Sequence, residues 1–207
     1  MNIGPTPIPA DMNTQNWKIL LIGGSSGTGK SLLARQLSKH FEIPLTEVDD
    51  IRIALQKIAD RNKHPDLFTF WDNPDFLETK DAEILADKLL DIGREVWIAL
   101  DTLITKHLVC DEPVIFEGDG IIPDLLAQRD QKGIVSVFLW DEVEHIERRV
   151  EGRQRPGTQK ETSPAYAEFS YRFGLKLKEQ ALANGFIVVQ SSPAETLLAR
   201  VLKQLEK

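Results

Sequence analysis

The stretch Gly24-Ser25-Ser26-Gly27-Thr28-Gly29-Lys30-Ser31 decides how the rest of the chain is read. It fits G-x-x-x-x-G-K-[ST] without a mismatch. Its flanks fit as well. Trp17–Ile22 (W-K-I-L-L-I) is a short apolar run stopped by glycine, which predicts a buried strand. Ser31–His40, with Leu33, Leu37 and Phe41 at helical spacing, predicts an amphipathic helix. A glycine-rich turn between strand and helix lets several backbone N–H groups point at one phosphate. The helix N-terminus adds partial positive charge. Lys30 is then placed to neutralise β- and γ-phosphates, and the Ser31 hydroxyl to ligate Mg²⁺. A chance glycine-rich turn is the bland alternative, and the full match in this context argues against it. Gly24, Ser25, Ser26, Gly27, Thr28, Gly29, Lys30 and Ser31, with Leu32 just beyond, are the candidate nucleotide contacts.

Outward from this loop, apolar runs and helical patterns alternate. Pro44–Val48, Pro113–Phe116, Ile134–Trp140 and Phe186–Gln190 read as strands. Helices are expected from Ile51, from about Asp75 to Lys106, from Val143, over Ala165–Asn184 and over Pro193–Leu205. Such alternation predicts an α/β fold with a parallel sheet covered on both faces. Met1–Asn16, with Pro5, Pro7 and Pro9 and no period, reads as a loose arm, and residues 17–207 as one domain. Gly152–Pro164 is polar, basic and rich in glycine and proline, and reads as a mobile loop.

Composition narrows the classes. The 207 residues suit one domain, and 42% hydrophobic with 28% charged residues suits a globular core. The lone Cys110 excludes an internal disulfide and a multi-cysteine metal cluster. A net charge of -7 argues against a general nucleic-acid coat, so an anion site must be local. No apolar run approaches the roughly 20 residues of a membrane span. With neither a basic start nor an apolar signal core, a cytoplasmic protein is the working expectation.

Three segments carry a resemblance: I-G-G-S-S-G-T-G-K-S (Ile22–Ser31), V-D-D-I-R (Val48–Arg52) and F-E-G-D-G-I-I-P (Phe116–Pro123). With the order of elements, they make Trp17–Leu205 resemble the P-loop small-molecule and nucleoside monophosphate kinases, and 2-phosphoglycerate kinase-like proteins within that group. The first segment carries their Walker A spacing. An N-K-x-D base-reading element of GTPases is missing, and the chain lacks room for the extra helical domain of an AAA+ motor. The resemblance implies a three-layer P-loop NTPase fold with a five-stranded parallel sheet in the order 2-3-1-4-5. It also implies ATP and Mg²⁺ as reactants, a small-molecule phosphoryl acceptor, and a short basic lid at about 149–164.

The V-D-D-I-R segment is expected at the carboxyl end of the second strand, where ligands bind in open α/β sheets. Kinases of this group that phosphorylate a hydroxyl often carry an Asp there. Asp50 is the candidate base, and Asp49 the alternative or the metal-side partner; one of the two is expected to cap the following helix. Arg52 looks like the group's acceptor-anion arginine, against a plain reading as a solvated helix residue. Glu117, beside the phosphate loop, resembles the acidic residue that contacts the waters of Mg²⁺ or the acceptor, with Asp119 a weaker second. Ser31, Asp49 and Glu117 thus form the candidate metal set.

Arg148, Arg149, Arg153 and Arg155 cluster in an acidic chain. R-V-E-G-R (Arg149–Arg153) is similar to the R-x-x-G-R lid element of adenylate kinases, which implies Arg149 near the adenine and Arg153 on the phosphates. Arginines closing over a transferring phosphoryl group stabilise its charge. The plain alternative pairs Arg148 with Glu144, or Arg149 with His145 and Glu142. In the His64–Trp71 stretch, Phe68, Phe70 and Trp71 could wall a substrate, but packing is the favoured reading. The expected activity is ATP- and Mg²⁺-dependent phosphoryl transfer to the hydroxyl of an anionic small molecule. The rivals are a nucleotide kinase with a phosphate acceptor and an ATP-binding regulatory protein with little turnover.

Overall fold

The computed structural model describes residues 16–72, 75, 79–152 and 163–206. Five strands, β1 (Ile19–Gly24), β2 (Leu45–Glu47), β3 (Val114–Glu117), β4 (Ile134–Trp140) and β5 (Ile187–Gln190), form one sheet in the order β2-β3-β1-β4-β5. All four pairings are parallel, with Ile22 opposite both Glu117 and Val137. The fold and strand order implied by the resemblance are therefore the ones observed.

Every residue of β1 is buried. Side chains alternate across a strand, so one strand feeds two cores. Ile19 and Leu21 join Phe116, Phe138 and the apolar stripes of α2 (Val48–Ile58), α4 (Ala82–Val109) and α7 (Pro164–Ala183). Leu20 and Ile22 face the other way, onto α1 (Lys30–Phe41) and α8 (Leu197–Leu205), with Leu33, Leu37, Leu139 and Val201. The smaller helices are α3 (Thr69–Asp72), α5 (Pro123–Leu126) and α6 (Val143–Glu151), with 3₁₀ turns at Pro65–Phe68 and Ala194–Thr196. No helix among the described residues is long and apolar enough to cross a membrane.

Several boundaries differ from expectation. β1 runs two residues into the glycines, because Gly23 and Gly24 continue the pairing with Phe138 and Leu139 on β4. The long helix begins at Ala82, not Asp75: Asp81 caps it, its carboxylate accepting from the Glu83 amide at 2.8 Å. β2 ends at Glu47 and α2 starts at once, with Glu47 at the N-cap and no side-chain cap bond. Neither Asp49 nor Asp50 is the cap. Both lie in the first turn, where the helix dipole still favours negative charge. Phe68 is buried, Phe70 packs beside Phe169, and the Arg61 guanidinium lies 4.2 Å from the Phe68 ring centroid. These aromatic residues thus have packing partners in the fold. Of the expected arm and lid, residues 1–15 and 153–162, including Arg153 and Arg155, lie outside the described residues.

Candidate active site

The phosphate loop leaves β1 at its carboxyl end, where the chain must turn sharply into α1. Gly24 has φ 136° and a side chain there would collide with the Leu139 carbonyl oxygen of β4. Gly29, at φ 84°, is different: a Cβ there would meet no atom within 4 Å. It forms the N-cap of α1 and opens the helix terminus to any anion that approaches. Thr28 Oγ1 donates to Ser25 O at 2.7 Å and Lys30 Nζ donates to the same carbonyl at 2.9 Å, so the lysine lies within the loop. The Ser25 hydroxyl is fully buried with no hydrogen-bond partner. A tight amide cradle, an internal lysine and an unsatisfied hydroxyl fit a phosphate chain.

One flank of the loop is acidic. Glu117 ends β3 and is buried, and its carboxyl is held above the usual range, first by that burial, against the pull of Lys30 and the Ser31 hydroxyl. Asp49 lies within electrostatic reach of Asp119, Arg52, Lys30 and Glu117. Its pKa is pushed up to about 6, first by the Asp119 carboxylate and then by desolvation, while Arg52 and Lys30 pull it down. Arg52 Nη2 stands 3.4 Å from Asp49 Oδ1. Val48, Asp49, Arg52, Gly93, Asp119 and Gly120 line a cleft between α2, α4 and the loop after β3. It encloses only about 10 Å³. Asp50 stands apart from this group, on an exposed position of α2. Leu32 is also exposed.

The opposite flank is basic and more open. Arg149, on α6, donates from Nη1 to Gly27 O at 3.1 Å and to Asp141 Oδ2 at 2.6 Å, and from Nη2 to Ser192 Oγ at 2.9 Å. It thereby touches the phosphate loop, the end of β4 and the connection after β5. Arg148 instead donates from Nε to the Glu144 carbonyl at 3.1 Å, one turn back. Arg149, His145, Gln190, Ser192, Pro193 and Glu195 are among the walls of a cleft of about 510 Å³. The phosphate loop is also held from behind by α7, where Ser170 Oγ donates to Ser26 O at 2.5 Å.

Asp141, Ser170 and Ser192 escaped the sequence analysis. Asp141 was findable: it directly follows the Ile134–Trp140 strand, and the carboxyl ends of parallel strands line the crevice. Nothing in the chain marks Ser170, which meets Ser26 across 144 positions. Among the described residues, no three His, Cys, Asp or Glu side chains gather closely enough to hold a metal by themselves.

No protein-family model matches the chain. It is 28% identical over 129 residues to the 2-phosphoglycerate kinase of Methanococcus maripaludis strain C7, covering 58% of this chain and 41% of that one. The chain thus spans about two fifths of the length of the curated relatives it matches. Its fold is similar to that of shikimate kinase from Acinetobacter baumannii, with a TM-score of 0.51, 17% identity, and 93% of this chain and 94% of that one covered. It is also similar to deoxyadenosine kinase from M. mycoides, with a TM-score of 0.53, 15% identity, and coverage of 91% and 100%. The fold is thus a three-layer α/β P-loop fold, and in sequence the chain is similar to 2-phosphoglycerate kinase.

Proposed function

We propose that this protein transfers the γ-phosphoryl group of ATP to a hydroxyl of a small anionic acceptor. The observation that carries the reading is the meeting of Asp49 and Arg52 with Lys30 and Glu117 on one flank of the phosphate loop. A kinase of hydroxyls needs a proton acceptor and an anion anchor beside the phosphates. The curated relatives support an anionic acceptor, since 2-phosphoglycerate is by its name an acid that carries phosphate.

The phosphates would lie along the amides of Gly27–Ser31, with Lys30 exchanging its bond to Ser25 O for phosphate oxygens. The acceptor's anionic group would pair with Arg52, which brings its hydroxyl to Asp49. The hydroxyl oxygen attacks the γ-phosphorus, the bond to the β-bridging oxygen breaks, ADP leaves, and the hydroxyl proton passes to Asp49. With a pKa of about 6, Asp49 is mostly ionised at neutral pH yet basic enough to take that proton. Asp49, its side chain half exposed, is proposed as the base in preference to its neighbour Asp50 because it stands among Arg52, Asp119, Lys30 and Glu117. Ser31, Glu117 and nucleotide phosphate oxygens would hold Mg²⁺, which takes few protein ligands in such sites. When bound, it neutralises phosphate charge. Arg149 and the cleft beside it would receive the nucleotide base.

The test is ADP release from Mg-ATP across a panel of phosphorylated and carboxylated hydroxy compounds, with Lys30→Ala as control. Acceptor-dependent turnover that Lys30→Ala abolishes is the expected result. Turnover only with nucleoside monophosphates, unaffected by Asp49→Asn, would favour a phosphate acceptor instead. Silence across the panel despite nucleotide binding would favour a regulatory role.

A further inference from the structure

Among the described residues, Asp141 is a buried charge with several partners that the proposed transfer does not use. Its side chain is 0% exposed. A carboxylate so placed is costly unless it is paired. Oδ2 accepts from Arg149 at 2.6 Å and from Ser192 Oγ at 2.7 Å. Oδ1 accepts from the Glu142 amide at 3.1 Å and lies 2.9 Å from His145 Nδ1. Burial raises its pKa, but the bonds from Ser192, His145 and Arg149 outweigh burial and hold it below the usual range. Its partners belong to α6 and to the connection after β5, and Arg149 reaches on to the phosphate loop.

We propose that Asp141 is a positioning residue that fixes the Arg149 guanidinium as a preformed wall for the base of a nucleoside triphosphate. The inference rests on the kinase reading above. A guanidinium offers donors only around its edge, and here edge donors are committed to Asp141, Gly27 and Ser192. Three of its five N–H donors are thus taken, which fixes the plane of the guanidinium, and arginine faces stack on aromatic rings. A flat heterocycle is the ligand class that suits such a surface. Arg149 lines the 510 Å³ cleft with Gln190, Ser192 and Pro193, and the cleft adjoins the phosphate loop through Gly27. The loop after β5 has its own anchor. Arg200 donates to Gln190 O at 2.5 Å and to Ser191 O and Pro193 O at 3.1 Å each. Loss of the Asp141 charge therefore removes one of three ties on Arg149 while the loop after β5 stays held.

Equilibrium binding separates this role from a merely structural one. The probes are Mg²⁺ with a non-hydrolysable ATP analogue, and Mg²⁺ with inorganic tripolyphosphate, which has the phosphates but no base. Asp141→Asn is expected to weaken the ATP analogue about tenfold, the scale of one lost charge-assisted contact, and to leave tripolyphosphate within about twofold. Arg149→Ala is expected to do the same, and the double variant to be no weaker than Arg149→Ala alone. Ser192→Ala keeps the buried charge paired and provides a milder variant with a loss in the same direction, so the question survives if Asp141→Asn does not fold. Unchanged binding of the analogue by both Asp141→Asn and Ser192→Ala, or by Ser192→Ala alone where Asp141→Asn does not fold, would overturn the proposal. So would equal weakening of the analogue and tripolyphosphate, which would mean that the network supports the phosphate loop and not the base. If the wild-type chain binds neither probe, the phosphate site fails, and this proposal with it.

Discussion

A helix turns about 100° per residue, so Asp49 and Asp50 leave α2 in different directions. One reaches the charges around Lys30 and the other an exposed position. Asp49→Asn is expected to lower kcat about 10²–10⁴-fold with little change in the KM for ATP, as for a group acting in the chemical step. Asp50→Asn should stay within a few-fold of wild type; the reverse ranking in steady-state kinetics would restore Asp50 as the base. The Asp49 pKa also sets a pH signature. Activity needs the ionised form, so kcat/KM should rise with pH and level off above about 6. Stability has the opposite sign. Between the ordinary value of 3.8 and about 6 the folded chain holds this proton more tightly than the unfolded one, so the Asp49 contribution falls as pH rises through that window. Asp49→Asn should remove that slope from urea titrations taken across it. The pair V-D-D-I-R is plain in the chain, but which carboxylate faces the loop depends on where α2 starts. That start follows from β2 stopping at Glu47, which no local signal announces.

The α7 helix follows the undescribed segment 153–162 and presses on the back of the phosphate loop. Ser170 bonds to Ser26, and a Cβ on Gly174 would stand 2.7 Å from Ser25 Oγ. Gly174→Ala is therefore expected to displace Ser25 and weaken tripolyphosphate binding several-fold, at a cost in stability of about 1–3 kcal/mol. Ser170→Ala leaves a loop carbonyl without its donor and should cost about 1 kcal/mol or more in urea unfolding. Calorimetric binding and denaturation of the two variants check both expectations. Normal binding by Gly174→Ala would show that the loop does not depend on this helix. At this scale legibility was uneven. Ile134–Trp140 stands in the structure with the expected bounds, because a seven-residue apolar run has one burial solution between two sheet neighbours. The start of α4 was misplaced by seven residues, since the Asp81 cap sits among other polar residues that look equally able to cap.

Across the whole molecule, the two cores on either side of the sheet carry stability, while the site lies along the carboxyl ends of the strands. The two should separate experimentally. Phe173→Ala, fully buried in the larger core, is expected to cost about 3–5 kcal/mol in urea unfolding. Lys30→Ala should unfold at nearly the wild-type midpoint without ligand. Mg-ATP at about 100 times its Kd should stabilise the wild-type chain by about 2.7 kcal/mol, and Lys30→Ala at the same concentration far less. A lysine variant still fully stabilised by nucleotide would remove Lys30 from the phosphate site. The alternation of strands with helices was enough to predict the parallel α/β sheet, and the unbroken loop motif was enough to propose a phosphate cradle. Both are local facts: a strand, a glycine turn and a helix start lie within a few residues of one another, and periodicity alone shows which face is buried. Tertiary structure carries the proposal of Asp49 over Asp50 and decided the grip of Ser170 on the loop and the Asp141–Arg149–Ser192 network. Those groups come from elements far apart in the chain, and only the order and register of the sheet bring their ends to one place.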